Sequence, residues 1–139
     1  THKGYVIDTM EVAGPWSSLP GVYTAVREAM SRVSDSRSVS AALSHINLDG
    51  ACLYFTFAGD KVEDPEALYR TLWDAGQRAA LSAGANLSHH HGVGLNRSRF
   101  VREALGSSFE VLAALKAALD PRGILNPGKL GLGDSDPWP

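Results

Sequence analysis

A single cysteine, Cys52, in 139 residues rules out an internal disulfide, and a chain without disulfides fits a reducing compartment such as the cytoplasm. Neither sign of charge is in excess, since 13 basic against 15 acidic residues leave a net charge of −2. That balance supplies no basic field and argues against nucleic acid or an anionic membrane surface as a partner. Long apolar runs are missing too. Nothing approaches the roughly 20 residues of a membrane helix, and the first residues lack a signal-peptide pattern. There are no internal repeats, and no His-x-x-x-His or Cys-x-x-Cys pair, so no dedicated metal site is expected. A methionine start is also lacking: Thr1 leads through Gly4-Tyr5-Val6-Ile7-Asp8 into strand-like sequence, which suggests a piece of a longer protein. What is left, 44% hydrophobic and 20% charged, is ordinary for one folded domain.

The patterning gives an order of elements. Tyr5, Ile7 and Thr9 alternate with Val6, Asp8 and Met10, predicting a half-buried strand over 5–12 that breaks at Gly14-Pro15. Leu19, Val22, Val26, Met30 and Val33 recur at helical spacing behind Pro20, a residue suited to a first turn. Residues 39–47 and 51–58 are predicted strands around Leu48-Asp49-Gly50, whose Asp-Gly signals a hairpin turn. In the second arm Leu53, Phe55 and Phe57 face one way, and Cys52, Tyr54, Thr56 and Ala58 the other. Asp64-Pro65 then offers an N-cap and a proline at N1 for a helix running to Gly84. A short helix near 100–105 and a last one after Ser107, with Ser107 to Glu110 as a capping box, complete the pattern. The expected class is α+β: an antiparallel sheet with helices packed on one side, followed by a C-terminal helical segment. Residues 131–139 read as a tail.

Between the predicted helices lies Ser88-His89-His90-His91-Gly92-Val93-Gly94. Three adjacent imidazoles are hard to explain by packing, and histidine can donate, accept, ligate or change charge near neutral pH. In an extended segment His89 and His91 would share one direction and His90 take the other, so at most two would serve one site. The plain alternative is a polar loop or an adventitious metal site. Tyr54, on the polar side of its strand, is either catalytic or a half-buried tyrosine with a bonded hydroxyl. His45 and Asp49 read as turn residues. Gly92-Val93-Gly94 follows no βα crossover, which excludes a Rossmann reading.

Several stretches together resemble one family: Asp8-Thr9-Met10-Glu11 with Trp16-Ser17-Ser18-Leu19, Gly50-Ala51-Cys52-Leu53-Tyr54-Phe55, the histidine stretch, and Asp120-Pro121 with Ile124-Leu125-Asn126-Pro127-Gly128-Lys129. They resemble the C-terminal region of FAD-linked oxidases of the vanillyl-alcohol-oxidase type, most of all alkyldihydroxyacetonephosphate synthases. The resemblance covers nearly the whole chain. Its Asp-Pro and Leu-Asn-Pro-Gly-Lys motif is general to the superfamily, while Ser-His-His-His-Gly-Val-Gly is far more restricted.

That resemblance implies a cap domain over residues 1–130, on the substrate side of a flavin whose FAD is bound mostly by an N-terminal domain absent here. It implies Tyr54 as the acid/base that moves a proton on the substrate carbon, with His89, His90 and His91 beside flavin and substrate. His90 and Asn126 are the implied cofactor contacts. The partners it implies are the FAD-binding domain of the same protein, a small-molecule substrate and, in addition, a possible homodimer. The fragment alone is expected to be inactive. A competing resemblance is to FAD-dependent D-2-hydroxyacid dehydrogenases, which carry metal-binding His and Glu in the same two motifs. Here Tyr54 stands where their second strand histidine would be, and His90 where the glutamate would be. An alternative of another class is a stand-alone domain using its histidines for metal or a partner.

Overall fold

The computed structural model describes residues 4–133. The elements are β1 (Val6–Pro15), α1 (Leu19–Ser31), β2 (Ser36–Ser44), β3 (Gly50–Gly59), α2 (Pro65–Ser82), α3 (Val101–Leu105) and α4 (Ser108–Leu119), with short 3-10 turns at Ser98–Phe100 and Lys129–Gly131. Residues up to His91 form one compact unit and those from Gly92 another.

The first unit is a three-stranded sheet of order β1-β3-β2, antiparallel throughout. Alternation decides its two faces. Met10, Val12, Leu53, Phe55 and Phe57 point one way and are buried with Leu19, Val22, Val26 and Met30 of α1 and Leu68, Leu72 and Trp73 of α2. Each large side chain fully buried there contributes roughly 1.5–3 kcal/mol. Phe57 meets Trp73 edge-on at 6.2 Å and Phe55 stacks on Tyr23 at 6.4 Å, so both helices lie on that face. Asp8 fastens α2 to the sheet, accepting the Tyr69 hydroxyl at 2.8 Å and the Trp73 indole N–H at 3.0 Å. The α+β architecture with helices on one side agrees with the sequence pattern.

The helix signals hold where a side chain is free to act. Asp64 Oδ1 accepts the Ala67 N–H at 2.9 Å as the N-cap of α2, and Gly84 follows its end with φ 85°. The predicted capping box at α4 does not form. Ser107 already has helical dihedrals (φ −61°, ψ −23°) and makes no side-chain cap bond, whereas a capping serine needs an extended conformation. Glu110 instead accepts from Arg102 at 2.5 Å. β1 runs past the expected break to Pro15, because Gly14 and Pro15 still pair with Ala51 and Gly50, and an edge strand tolerates a proline. β2 begins earlier than expected, at Ser36 through a bulge, and ends before His45, whose φ of 47° cannot continue a strand. Of the expected tail, residues 131–133 are described, with Gly131 closing the second 3-10 turn, and the remainder lies outside the described residues.

Candidate functional site

The other face of the sheet carries Thr9 and Glu11 from β1, Cys52, Tyr54 and Thr56 from β3, and Ser40, Ala42 and Ser44 from β2. Register sets Glu11 and Ala42 on either side of Tyr54. Two local devices bring the remaining groups to one end of this face. After α2, Asn86 pairs with Ala13 like a short strand, its N–H donating to the Ala13 carbonyl at 2.8 Å and its Oδ1 accepting the Ala13 N–H at 2.7 Å. The following residues therefore arrive beside Glu11. At the hairpin, the Trp16 indole N–H donates to the Asn47 and Leu48 carbonyls, both at 3.2 Å, and holds the loop that carries His45.

Glu11 is fully buried, and its carboxylate gathers the histidine loop. Oε1 accepts the Ser88 hydroxyl at 2.5 Å and the His91 N–H at 3.2 Å, while Oε2 accepts the His89 N–H at 2.7 Å. This overturns the extended reading of residues 88–91. The backbone bends at His89, His90 and His91 instead of running as a strand, and both amides turn to the one carboxylate. As a result all three rings collect on one side: His90 lies 5.5 Å from His89 and 4.5 Å from His91 between ring centres. His45 joins them at 4.2 Å from His90 and 5.3 Å from His89. Its left-handed backbone and the 3.1 Å contact of its Nδ1 with Ser44 Oγ accompany a ring turned toward His89 and His90, so it is more than a turn residue.

Tyr54 meets this cluster, 5.5 Å edge-on from His91 and 6.5 Å from His90. Its hydroxyl donates to Thr9 Oγ1 at 3.1 Å, along the sheet rather than into the core. His90 Nδ1 is 3.7 Å from Glu11 Oε2. Burial lowers the His90 pKa below the ordinary imidazole value and the neighbouring histidines add to this, while the Glu11 carboxylate pulls the other way. Burial pushes the Cys52 thiol up; its Sγ lies 3.9 Å from Glu11 Oε2. Donor atoms of His45, Cys52, His89 and His90 all lie within 4.8 Å of one another, so these four could hold a metal ion. The sequence pattern, which lacks spaced ligand pairs, gives no hint of this grouping because its members come from three separate segments.

Glu11 and His45 are the residues that sequence reasoning passed over. The available signal for Glu11 was a carboxylate set between Met10 and Val12, two core residues, a position where burial demands partners.

Asn126, expected at the cofactor, belongs to the second unit. It stands at φ 46° in the loop after α4, and its carbonyl accepts the Lys129 N–H at 3.4 Å. Asp120 organises that loop: its carboxylate accepts Lys116 Nζ at 2.5 Å and the N–H groups of Leu125 at 2.9 Å and Ile124 at 3.0 Å. The Lys116 hydrogen bond above all, then the Leu125 N–H, holds its pKa below the ordinary carboxylate value. A cavity of about 430 Å³ in the first unit is lined by Asn47, Asp49, Asn86 and His89 among others, so one histidine of the triplet also borders open space.

Residues 1–130 match the family model described as FAD linked oxidases, C-terminal domain. The alkyldihydroxyacetonephosphate synthase of Trypanosoma brucei brucei is 27% identical over 129 residues, covering 88% of this chain and 21% of that protein. An uncharacterised FAD-linked oxidoreductase of Escherichia coli (strain K12), YgcU, is 28% identical over 131 residues, covering 88% of this chain and 27% of that protein. A solved structure titled as alkyldihydroxyacetonephosphate synthase superposes with a TM-score of 0.58 at 22% identity, over 91% of this chain and 21% of the other, and shares the fold. The chain thus spans 21% and 27% of the length of these two relatives.

Proposed function

The chain belongs to the family of FAD linked oxidases, C-terminal domain, and from that membership we propose that it is the substrate-side cap of a cytoplasmic FAD-dependent enzyme akin to alkyldihydroxyacetonephosphate synthase. The reaction proposed is alkyl-for-acyl exchange in ether-lipid synthesis. The cap's partners are then the FAD-binding domain of the same protein and a small-molecule substrate, with a homodimer as a further proposal. Among the described residues no helix is long and apolar enough to cross a membrane.

The described residues suit part of FAD only. A half-buried phenol and four exposed imidazoles at one end of the sheet suit the edge of a flat heteroaromatic ring and the oxygens of a small substrate. The Gly92–Gly94 turn leads into a 3-10 segment of three residues, which does not offer the long helix N-terminus that cradles a pyrophosphate. When bound, the flavin supplies the redox and carbon-activating chemistry. Tyr54 Oη, steadied by Thr9, is the group that removes and returns a proton on the substrate carbon. The imidazoles of His89, His90 and His91 hold substrate oxygens by hydrogen bonds and stabilise negative charge that develops on them.

One observation carries this reading: the half-buried Tyr54 hydroxyl lies on the sheet face opposite the core, bonded to Thr9 and flanked by His90 and His91. Its test is Tyr54→Phe in the full-length flavoprotein. Turnover should fall by about 10²- to 10⁴-fold, with FAD content and folding unchanged; full turnover would remove Tyr54 from the chemistry.

The four-donor cluster favours a second reading, an FAD-dependent oxidation of a D-2-hydroxy acid assisted by a divalent ion. Thiolate and imidazole donors suit zinc. Calorimetric titration with zinc separates the two. On the first reading wild type and Cys52→Ala show only weak, similar heats; micromolar binding lost in both Cys52→Ala and His45→Ala would favour the second.

A further inference from the structure

We propose that Glu11 is the positioning residue of the histidine loop: its buried carboxylate gathers the backbone of residues 88–91 and so holds the His90 ring at the centre of the cluster. This rests on reading the triplet as part of the reacting surface and adds the group that holds it there. Three observations carry it. First, a fully buried carboxylate accepts two backbone N–H groups and one hydroxyl from three residues, Ser88, His89 and His91. A neutral side chain could not accept at all of these positions. Second, those bonds curl a segment that would otherwise send His90 away from His89 and His91. Third, the same carboxylate lies 3.7 Å from His90 Nδ1, the ring at the centre of the cluster.

The groups facing His90 are the imidazoles of His45, His89 and His91, the ring of Tyr54 and the Glu11 carboxylate. The Glu11 carboxylate and His89 Nδ1, the latter at 3.3 Å, both stand at His90 Nδ1, which leaves Nε2 as the nitrogen available to a ligand.

The test uses the full protein with isotope-labelled histidine, following amide exchange and ring-to-ring NOEs by NMR. In Glu11→Gln the His89 and His91 amides should exchange at least about tenfold faster, the effect of losing one bond to a charged acceptor, and the NOEs that tie the His90 ring to His45 should weaken. Ser88→Ala should quicken amide exchange and leave those NOEs in place. Glu11→Asp keeps the charge but shortens the reach, so amide exchange should rise less than in Glu11→Gln. Unchanged amide rates together with unchanged ring NOEs in Glu11→Gln would overturn the proposal. Should that variant fail to fold, unchanged amide rates in both Ser88→Ala and Glu11→Asp would overturn it equally. Turnover separates this from the functional reading. A fully active His90→Ala alongside the expected Glu11 results would end the catalytic reading and leave the positioning role intact.

Discussion

At the scale of single residues, the tyrosine allows structure and chemistry to be separated. The Tyr54 ring packs against His91 edge-on, and its hydroxyl makes one bond, to Thr9. Tyr54→Phe keeps the ring and removes only that half-buried bond, so unfolding free energy should drop by about 0.5–1.5 kcal/mol. A turnover loss of about 10²-fold corresponds to about 2.7 kcal/mol of activation free energy, more than the bond can explain. Denaturant titration alongside steady-state kinetics checks this, and a stability loss matching the activity loss would reduce Tyr54 to a structural tyrosine. Tyr54 and the triplet were legible because their residue types are rare in those patterns. Glu11 and His45 were not, because their importance depends on which loop arrives beside them. A strand carboxylate and a hairpin histidine look alike in sequence whether or not residues 88–91 are delivered to them.

At the scale of elements, strand alternation and helix periodicity were enough to separate the faces, since Leu53, Phe55 and Phe57 lie together on the buried side and Leu19, Val22, Val26 and Met30 of α1 pack against it. Terminal details were lost where one backbone dihedral decides, as at His45 and Ser107. One position in α2 departs from its pattern altogether. Gln77 is fully buried, and neither amide atom of its side chain has a hydrogen-bond partner. An unbonded buried amide costs roughly 1–3 kcal/mol, so Gln77→Met, of similar length and volume, should raise stability by about 1 kcal/mol or more. Chemical denaturation measures it. A loss of stability on that substitution would mean that Gln77 has a polar partner in the native state.

At the scale of the whole molecule, acid should weaken the two units at different points because their titrating groups differ. His90 in the first unit has a folded-state pKa below the ordinary 6.5, from burial first and neighbouring histidines next. The unfolded chain therefore takes up the proton more readily, and the favourable contribution of neutral His90, fully present above 6.5, is lost as pH falls from there through the folded value. Asp120 in the second unit has its pKa lowered from 3.8, by Lys116 first and the Leu125 N–H next. Its contribution is intact above that value and lost only as pH falls below it. Amide exchange resolved by residue should accordingly show protection around residues 88–91 declining below about pH 6.5, with Ile124 and Leu125 still protected. Those two amides should open only near or below pH 3.8. His90→Ala should remove much of the first step and leave the second, and Asp120→Asn should do the reverse. A histidine loop as well protected at pH 5 as at pH 7 would contradict the sign derived for His90, and with it the view that this crowded cluster resists protonation.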